Sequence, residues 1–167
     1  MDRIEGVLDS WRETGGPGFL TISGTSMRPL LPNGCRVVVR PAAGLLRLGD
    51  IIVYRRGEGL SVHRIVRVLR RDGARRFVAK GDGAFGFDPA HVAENRVVGR
   101  VVGFERNGAV VDIESAWWRA GGLVTAVLSY IVGVAARAAR PVAVRLRRRA
   151  GRRRGRDMRD DTGCEES

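Results

Sequence analysis

Lysine is almost missing from this 167-residue chain: one Lys, at position 80, stands against 29 arginines. Any chemistry that needs a lysine base has one place to find it. Cysteine is scarce too. Cys35 and Cys164 lie 129 positions apart, and no Cys-x-x-Cys or Cys/His spacing of the zinc-binding or redox kind occurs. Neither a metal nor any other cofactor is therefore expected, and a structural disulfide is not expected either. Histidine occurs twice, at His63 and His91. Met1 to Gly18 holds four acids, two arginines and no long apolar core, so it reads neither as a secretory signal nor as a transmembrane anchor. Internal repeats are absent.

What is present is arginine, and it is placed unevenly. Residues 1–116 carry 18 basic and 13 acidic side chains, whereas residues 117–167 carry 12 and 5. Between Arg137 and Arg156 ten arginines occur without one acid. Such a block suits a polyanion, either phospholipid headgroups or nucleic acid, or else is a solvated tail of like charges. The 44% apolar content is enough for a core, and the length suits one domain with an appendage.

Hydrophobic periodicity divides the chain into four parts. Residues 1–18 read as a short amphipathic helix, with Ile4, Val7, Leu8 and Trp11 at helical spacing, and a Gly/Pro linker. Residues 19–116 read as a β-rich domain. Its expected strands are 19–23, 35–40, 51–55, 60–69, 75–80, 97–105 and 109–113. Hairpin turns are expected at Arg71-Asp72-Gly73 and Asn107-Gly108. A Gly/Asp/Pro loop, 81–93, carries two aromatics, Phe85 and Phe87, that read as exposed. Short strands without intervening helices argue a mainly β fold, an antiparallel barrel or folded sheet.

Residues 117–145 read as an apolar helical arm, and 146–167 as an Arg-rich tail without fixed structure. Residues 120–136 are seventeen positions without a charge, about 25 Å as a helix. Trp117 and Trp118 flank one end and the arginines the other, as in segments that meet membranes. Three readings stay open: a transmembrane helix, an in-plane interfacial helix, and a helix packed on the β domain.

Ser23-Gly24-Thr25-Ser26-Met27-Arg28-Pro29-Leu30 is the stretch around which chemistry can be built. A strand runs into Gly24, and Pro29 stops regular continuation, so the Ser26 hydroxyl can be held at the mouth of a cleft. A serine needs an adjacent base, itself oriented by a third group. His63 sits in an apolar strand. The hairpin at Asp72-Gly73 returns the chain so that the loop bearing Asp82 and Asp88 comes back towards it. Either acid could accept the imidazole N–H.

The order Gly-Thr-Ser-Met-Arg-Pro-Leu, Gly-Asp-Ile-Ile-Val-Tyr, Val-His-Arg-Ile-Val, then Lys-Gly-Asp with a second Asp six residues on, resembles the type I signal peptidases. It looks most like their archaeal and endoplasmic-reticulum branch, because common bacterial members place a lysine base where His63 stands. The resemblance spans about Thr21 to Val102. It implies a signal-peptidase-like fold and a serine endopeptidase that needs no cofactor. Ser26 would be the nucleophile, His63 the base, Asp88 the triad acid and Asp82 a supporting one. Gly24, Thr25 and Met27 would shape the substrate site, and the Ser26 amide would serve the oxyanion hole. The implied partner is a polypeptide with small residues before the cut. An anionic membrane surface is expected as a second partner, and DNA is not. The expected location is at a membrane, peripherally or through one C-terminal segment, with a cytoplasmic catalytic domain among the open placements. The alternatives are a self-cleaving regulator or a non-catalytic binding relative with a nucleic-acid- or lipid-binding Arg tail. Departures from the family pattern are the missing N-terminal anchor, Gly83-Ala84 after Asp82, and Gly24 where some relatives carry a hydroxyl.

Overall fold

The computed structural model describes residues 16–135 and 137, apart from 43, 72 and 89. The expected N-terminal helix at Asp2–Trp11 and the Arg-rich tail lie outside the described residues.

Among the described residues, eight strands form one antiparallel sheet. They are β1 (Gly18–Thr21), β2 (Arg36–Pro41), β3 (Ile51–Arg56), β4 (Gly59–Arg71), β5 (Ala74–Lys80), β6 (Val92–Ala93), β7 (Val97–Arg106) and β8 (Ala109–Asp112). The strand order is β1-β2-β7-β3-β4-β5-β6, with β8 pairing β7. This path is open, so of the two expected architectures the folded sheet is the one adopted. Strand β7 is shared along its length: one edge pairs with β2, while the other pairs first with β3 and then with β8. The β7–β8 turn is Asn107-Gly108, both at positive φ (52° and 77°), which matches the right-handed twist of a tight hairpin. The two-residue β6 gave no periodic signal and falls inside the expected 81–93 loop.

Both faces of the central strands are covered. On β3, Ile51 and Val53 point into one core with Ile22, Met27, Leu31, Val37, Val39, Val101 and Phe104. The alternate residues Ile52 and Tyr54 point into a second core with Leu46, Ile65, Phe77, Ala79 and Val92. That is why β3 reads as a continuous apolar run and not as an alternating one. Each fully buried Val, Ile or Phe contributes roughly 1.5–3 kcal/mol.

One helix, α1 (Ala116–Ala135), follows the sheet. It begins after Ser115, whose carbonyl accepts from Arg119 N at 3.0 Å. Its buried positions are Gly122, Ala126, Ser129 and Gly133, steps of four, three and four that form one stripe. The stripe contains only small side chains, so the helix lies close to the sheet. Ala126 packs with Val66 and Val78, and Tyr130 with Phe87 at 5.5 Å between ring centroids. The large apolar side chains face away. Leu123, Val124, Val127, Leu128, Ile131, Val132 and Val134 are all exposed, as is Trp117.

Candidate active site

The Ser26 turn is exposed on one side and anchored on the other. Gly24, Thr25 and Ser26 are exposed, whereas Met27 and Leu31 are buried in the first core. Met27 therefore fixes the turn from beneath. Gly24 N donates to Asn33 Oδ1 at 2.8 Å, and Leu31 N to Met27 O at 3.0 Å, which closes the loop on itself. The chain after β5 presses against it. Gly83 N donates to Ser26 O at 2.8 Å, and a Cβ on Gly81 would lie 2.4 Å from that same oxygen. Only glycine lets the two backbones approach so closely.

His63 lies on β4 opposite Ile52 of β3. Its Nε2 is 3.1 Å from Ser26 Oγ, and its Nδ1 is 2.7 Å from Asp88 Oδ2. Asp88 is held next to β5 by its own amide, which donates to Ala79 O at 3.1 Å. Serine, histidine and aspartate thus form one hydrogen-bonded line. Asp88 takes two further donors: the Tyr54 hydroxyl on Oδ2, and Arg56 Nη1 on Oδ1 at 3.3 Å. Burial alone would raise the Asp88 pKa. The hydrogen bonds from His63 and Tyr54, with the charges of His63 and Arg56, outweigh it and hold the carboxyl below its ordinary range. An ionised Asp88 requires a proton on His63 Nδ1, which leaves Nε2 to accept from Ser26.

Asp82 does something else. Arg64 Nε donates to its Oδ1 at 2.8 Å and Arg64 Nη2 to its Oδ2 at 2.7 Å, both side chains being about 5% exposed or less. The remaining Arg64 Nη1 donates to Gly49 O at 2.9 Å. This forked pair ties β4 to the loop that presses on Ser26. The division of labour follows from strand alternation: neighbours His63 and Arg64 point to opposite faces of β4, and each meets its own acid.

Lys80 is buried, and its Nζ donates to Gly81 O at 3.4 Å. Burial depresses its pKa, against the opposing charge of Asp82. Cys35 is half-buried, and its thiol pKa is raised by burial and then by Glu105, so it stays protonated. His91 is exposed. Among the described residues, no group of three or more His, Cys, Asp or Glu is placed to hold a metal ion. A cleft of about 1080 Å³ lies beside α1, walled by Pro29, Leu30, the Arg64–Asp82 pair, Phe104 and Trp118; Ser26, His63 and Asp88 do not line it.

Sequence reasoning missed Tyr54, Arg56 and Arg64 as site residues. The period of two along β3 puts Ile52 and Tyr54 on one face, but only the pairing of Ile52 with His63 places Tyr54 at the site. Phe87, expected to be exposed, is partly covered. It packs on Tyr130, and a Cβ at Gly133 would meet its ring at 2.5 Å. Phe85 is exposed, as expected.

A folded antiparallel sheet that brings a serine, a histidine and an aspartate into one hydrogen-bonded line is a fold of serine-peptidase type. The Peptidase S24-like family model matches residues 5–102, more than half of the sequence, and the chain belongs to that family. The family sits in the superfamily that includes both signal peptidases and self-cleaving repressors. No curated protein matches the chain.

Proposed function

We propose that the protein is a serine endopeptidase of signal-peptidase type, which removes leader or signal segments after small residues. The observation that carries this reading is the line from Ser26 Oγ through both His63 nitrogens to Asp88. In the first step Ser26 Oγ attacks the scissile carbonyl carbon while its proton passes to His63 Nε2. The resulting oxyanion is met by the Ser26 amide. Collapse breaks the C–N bond, and His63 returns the proton to the leaving amine. A water molecule, deprotonated by the same nitrogen, then hydrolyses the acyl-enzyme and frees Ser26.

Asp88 keeps the imidazole in the tautomer these steps need and balances the charge of the imidazolium. Asp82, through Arg64, fixes the loop against the Ser26 turn. Gly24 and Thr25, exposed beside Ser26, are the proposed edge on which an extended peptide lies. The peptide is proposed to run from there past Pro29 and Leu30 towards the cleft, whose lining is mixed, with Phe104 and Trp118 beside charged groups such as Arg100 and Glu114. A histidine at the base position supports the narrower archaeal and endoplasmic-reticulum-like assignment. Self-cleaving regulators of the superfamily use serine with lysine, whereas here it is His63, not Lys80, that lies within hydrogen-bond distance of Ser26 Oγ.

The enzyme is further proposed to work at an anionic bilayer. Support comes from the exposed apolar face of α1, from Trp117 at its start, and from the ten arginines between Arg137 and Arg156. The twenty residues of α1 span about 30 Å, enough to cross a hydrocarbon core. Its docked stripe favours an in-plane arrangement, because insertion would strip Gly122, Ala126 and Gly133 from the sheet.

The test is cleavage of a peptide carrying Ala-x-Ala before a reporter bond. Ser26→Ala and His63→Ala are each expected to lose at least about 10³-fold in kcat, and the double variant little more, because the pair acts as a unit. Full activity in Ser26→Ala would end the serine-peptidase reading.

A further inference from the structure

The Tyr54 hydroxyl has no part in the steps above, yet it touches two members of the line. It donates to Asp88 Oδ2, and its oxygen lies 3.1 Å from His63 Nδ1. A phenol has one proton. With that proton on the carboxylate, what Tyr54 turns towards His63 is a lone pair. His63 Nδ1 then faces two acceptors, Asp88 Oδ2 at 2.7 Å and Tyr54 Oη at 3.1 Å. A proton on Nδ1 satisfies both, whereas a proton on Nε2 would leave three electron-rich atoms together. Tyr54 is itself buried, and its ring is fixed in the second core with Ile52 and Phe77.

We propose that Tyr54 is a positioning residue of this site, holding the Asp88 carboxylate in the place from which it fixes the Nδ1–H tautomer of His63. The hydroxyl also draws on the charge that Asp88 can offer the imidazolium, and so sets the basicity of Nε2. The charged and titratable groups around this cluster are Asp88 from the loop after β5, Arg56 from the end of β3, and His63 itself. Arg56 is half-exposed and acts on Asp88 Oδ1, the other carboxylate oxygen. Burial and the Asp88 hydrogen bond both raise the Tyr54 pKa far above that of a free phenol, so the hydroxyl remains a donor throughout the working pH range.

The inference rests on the proposed serine-peptidase function, and two measurements keep the two separable. The first is the pH profile of Tyr54→Phe on the Ala-x-Ala peptide. Loss of the phenol leaves more of the Asp88 charge for the imidazolium, which is then harder to deprotonate. The acid limb of kcat/KM should move to higher pH, and kcat should fall roughly ten-fold with KM little changed, the scale of one hydrogen bond to a charged group. The second needs no activity. The ¹⁵N resonances of His63 in Ser26→Ala should report a single Nδ1–H tautomer at high pH, and adding Tyr54→Phe should raise the pH at which they titrate, the same direction as the acid limb.

Should Tyr54→Phe fail to fold, 3-fluorotyrosine can be incorporated at Tyr54 with Tyr130, the only other tyrosine, changed to Phe. Fluorination makes a stronger donor, so the acid limb should move the opposite way, to lower pH. A lower kcat with an unmoved acid limb and unmoved ¹⁵N resonances would overturn the proposal and leave Tyr54 as packing. If no variant of the chain cleaves peptide, the enzymatic reading fails, and the ¹⁵N titration still decides this one.

Discussion

Gly81→Ala probes the contact on which the site geometry depends. A Cβ at this position would lie 2.4 Å from Ser26 O and 2.9 Å from Ser26 Cβ, where ordinary contact begins near 3.4 Å. The chain must therefore open by about 1 Å. The oxygen is backbone and cannot swing aside, and it already accepts from Gly83 N, so the displacement falls on the turn that carries Ser26. Inserting a methyl group into such a contact costs about 1–3 kcal/mol. A misplacement of about 1 Å at a nucleophile can cost on the order of 10²-fold in rate. Gly86, five residues further along the same loop, has open space where its Cβ would be and no positive φ, so Gly86→Ala is the matched control. The assay is kcat/KM on the Ala-x-Ala peptide beside a thermal unfolding scan. Gly81→Ala should lose about two orders of magnitude in activity and several degrees in Tm, and Gly86→Ala neither. Parental kcat/KM and Tm in Gly81→Ala would show that the loop does not press on Ser26 as described.

The two acids should fail differently. Asp88→Asn should keep the fold and lose at least about 10³-fold in kcat, since an amide no longer enforces the tautomer. Asp82→Asn should instead destabilise by about 3–5 kcal/mol in urea unfolding, because it leaves the Arg64 guanidinium buried without its counter-charge. The pH dependence of stability has a definite sign for Asp88. Its folded pKa is depressed, so its contribution is present above the ordinary carboxylate range and is lost as pH falls through the folded value. The urea midpoint of the parent should therefore drop more steeply on acidification than that of Asp88→Asn. Lys80→Met should retain cleavage, and activity lost in Lys80→Met but kept in His63→Ala would reverse the choice of base.

The strands were legible because apolar runs bounded by Gly, Pro and Asn are a local signal, and the Asn107-Gly108 turn and the β4–β5 hairpin are nearly as local. The bounds shifted by a residue or two where pairing partners, not propensity, decide the end of a strand. Ser26, His63 and the two acids could be named from their order in the chain. Which acid faces His63 was named only by the resemblance, since the residues alone left both open: the answer depends on the face of β4 to which each loop returns. Once the Arg64↔Lys80 register is known, the answer follows from alternation. Tyr54 was hidden for a related reason. Its place beside His63 is fixed by the β3–β4 pairing of Ile52 with His63, which no single strand reveals.

The C-terminal helix was the least legible element, because two different environments act on its two sides. By composition alone, Gly122, Ser129 and Gly133 only interrupt an apolar run. In the fold, Gly122, Ala126, Ser129 and Gly133 are the docking stripe, and small residues there let the helix approach the sheet. The apolar bulk that would ordinarily fill a core is turned outward. Docking also reaches the candidate site from both ends. Gly122 lies against Arg64, the partner of Asp82, with 3.1 Å from its would-be Cβ to Nη1, and Gly133 lies against Phe87, the residue before Asp88. A bilayer that takes up the outer face in plane would leave these contacts intact. One that draws the helix across the membrane would remove support from both acid-bearing segments. The same helix can thus tie the proposed peptidase to a surface and hold its acids in place, provided it lies along that surface.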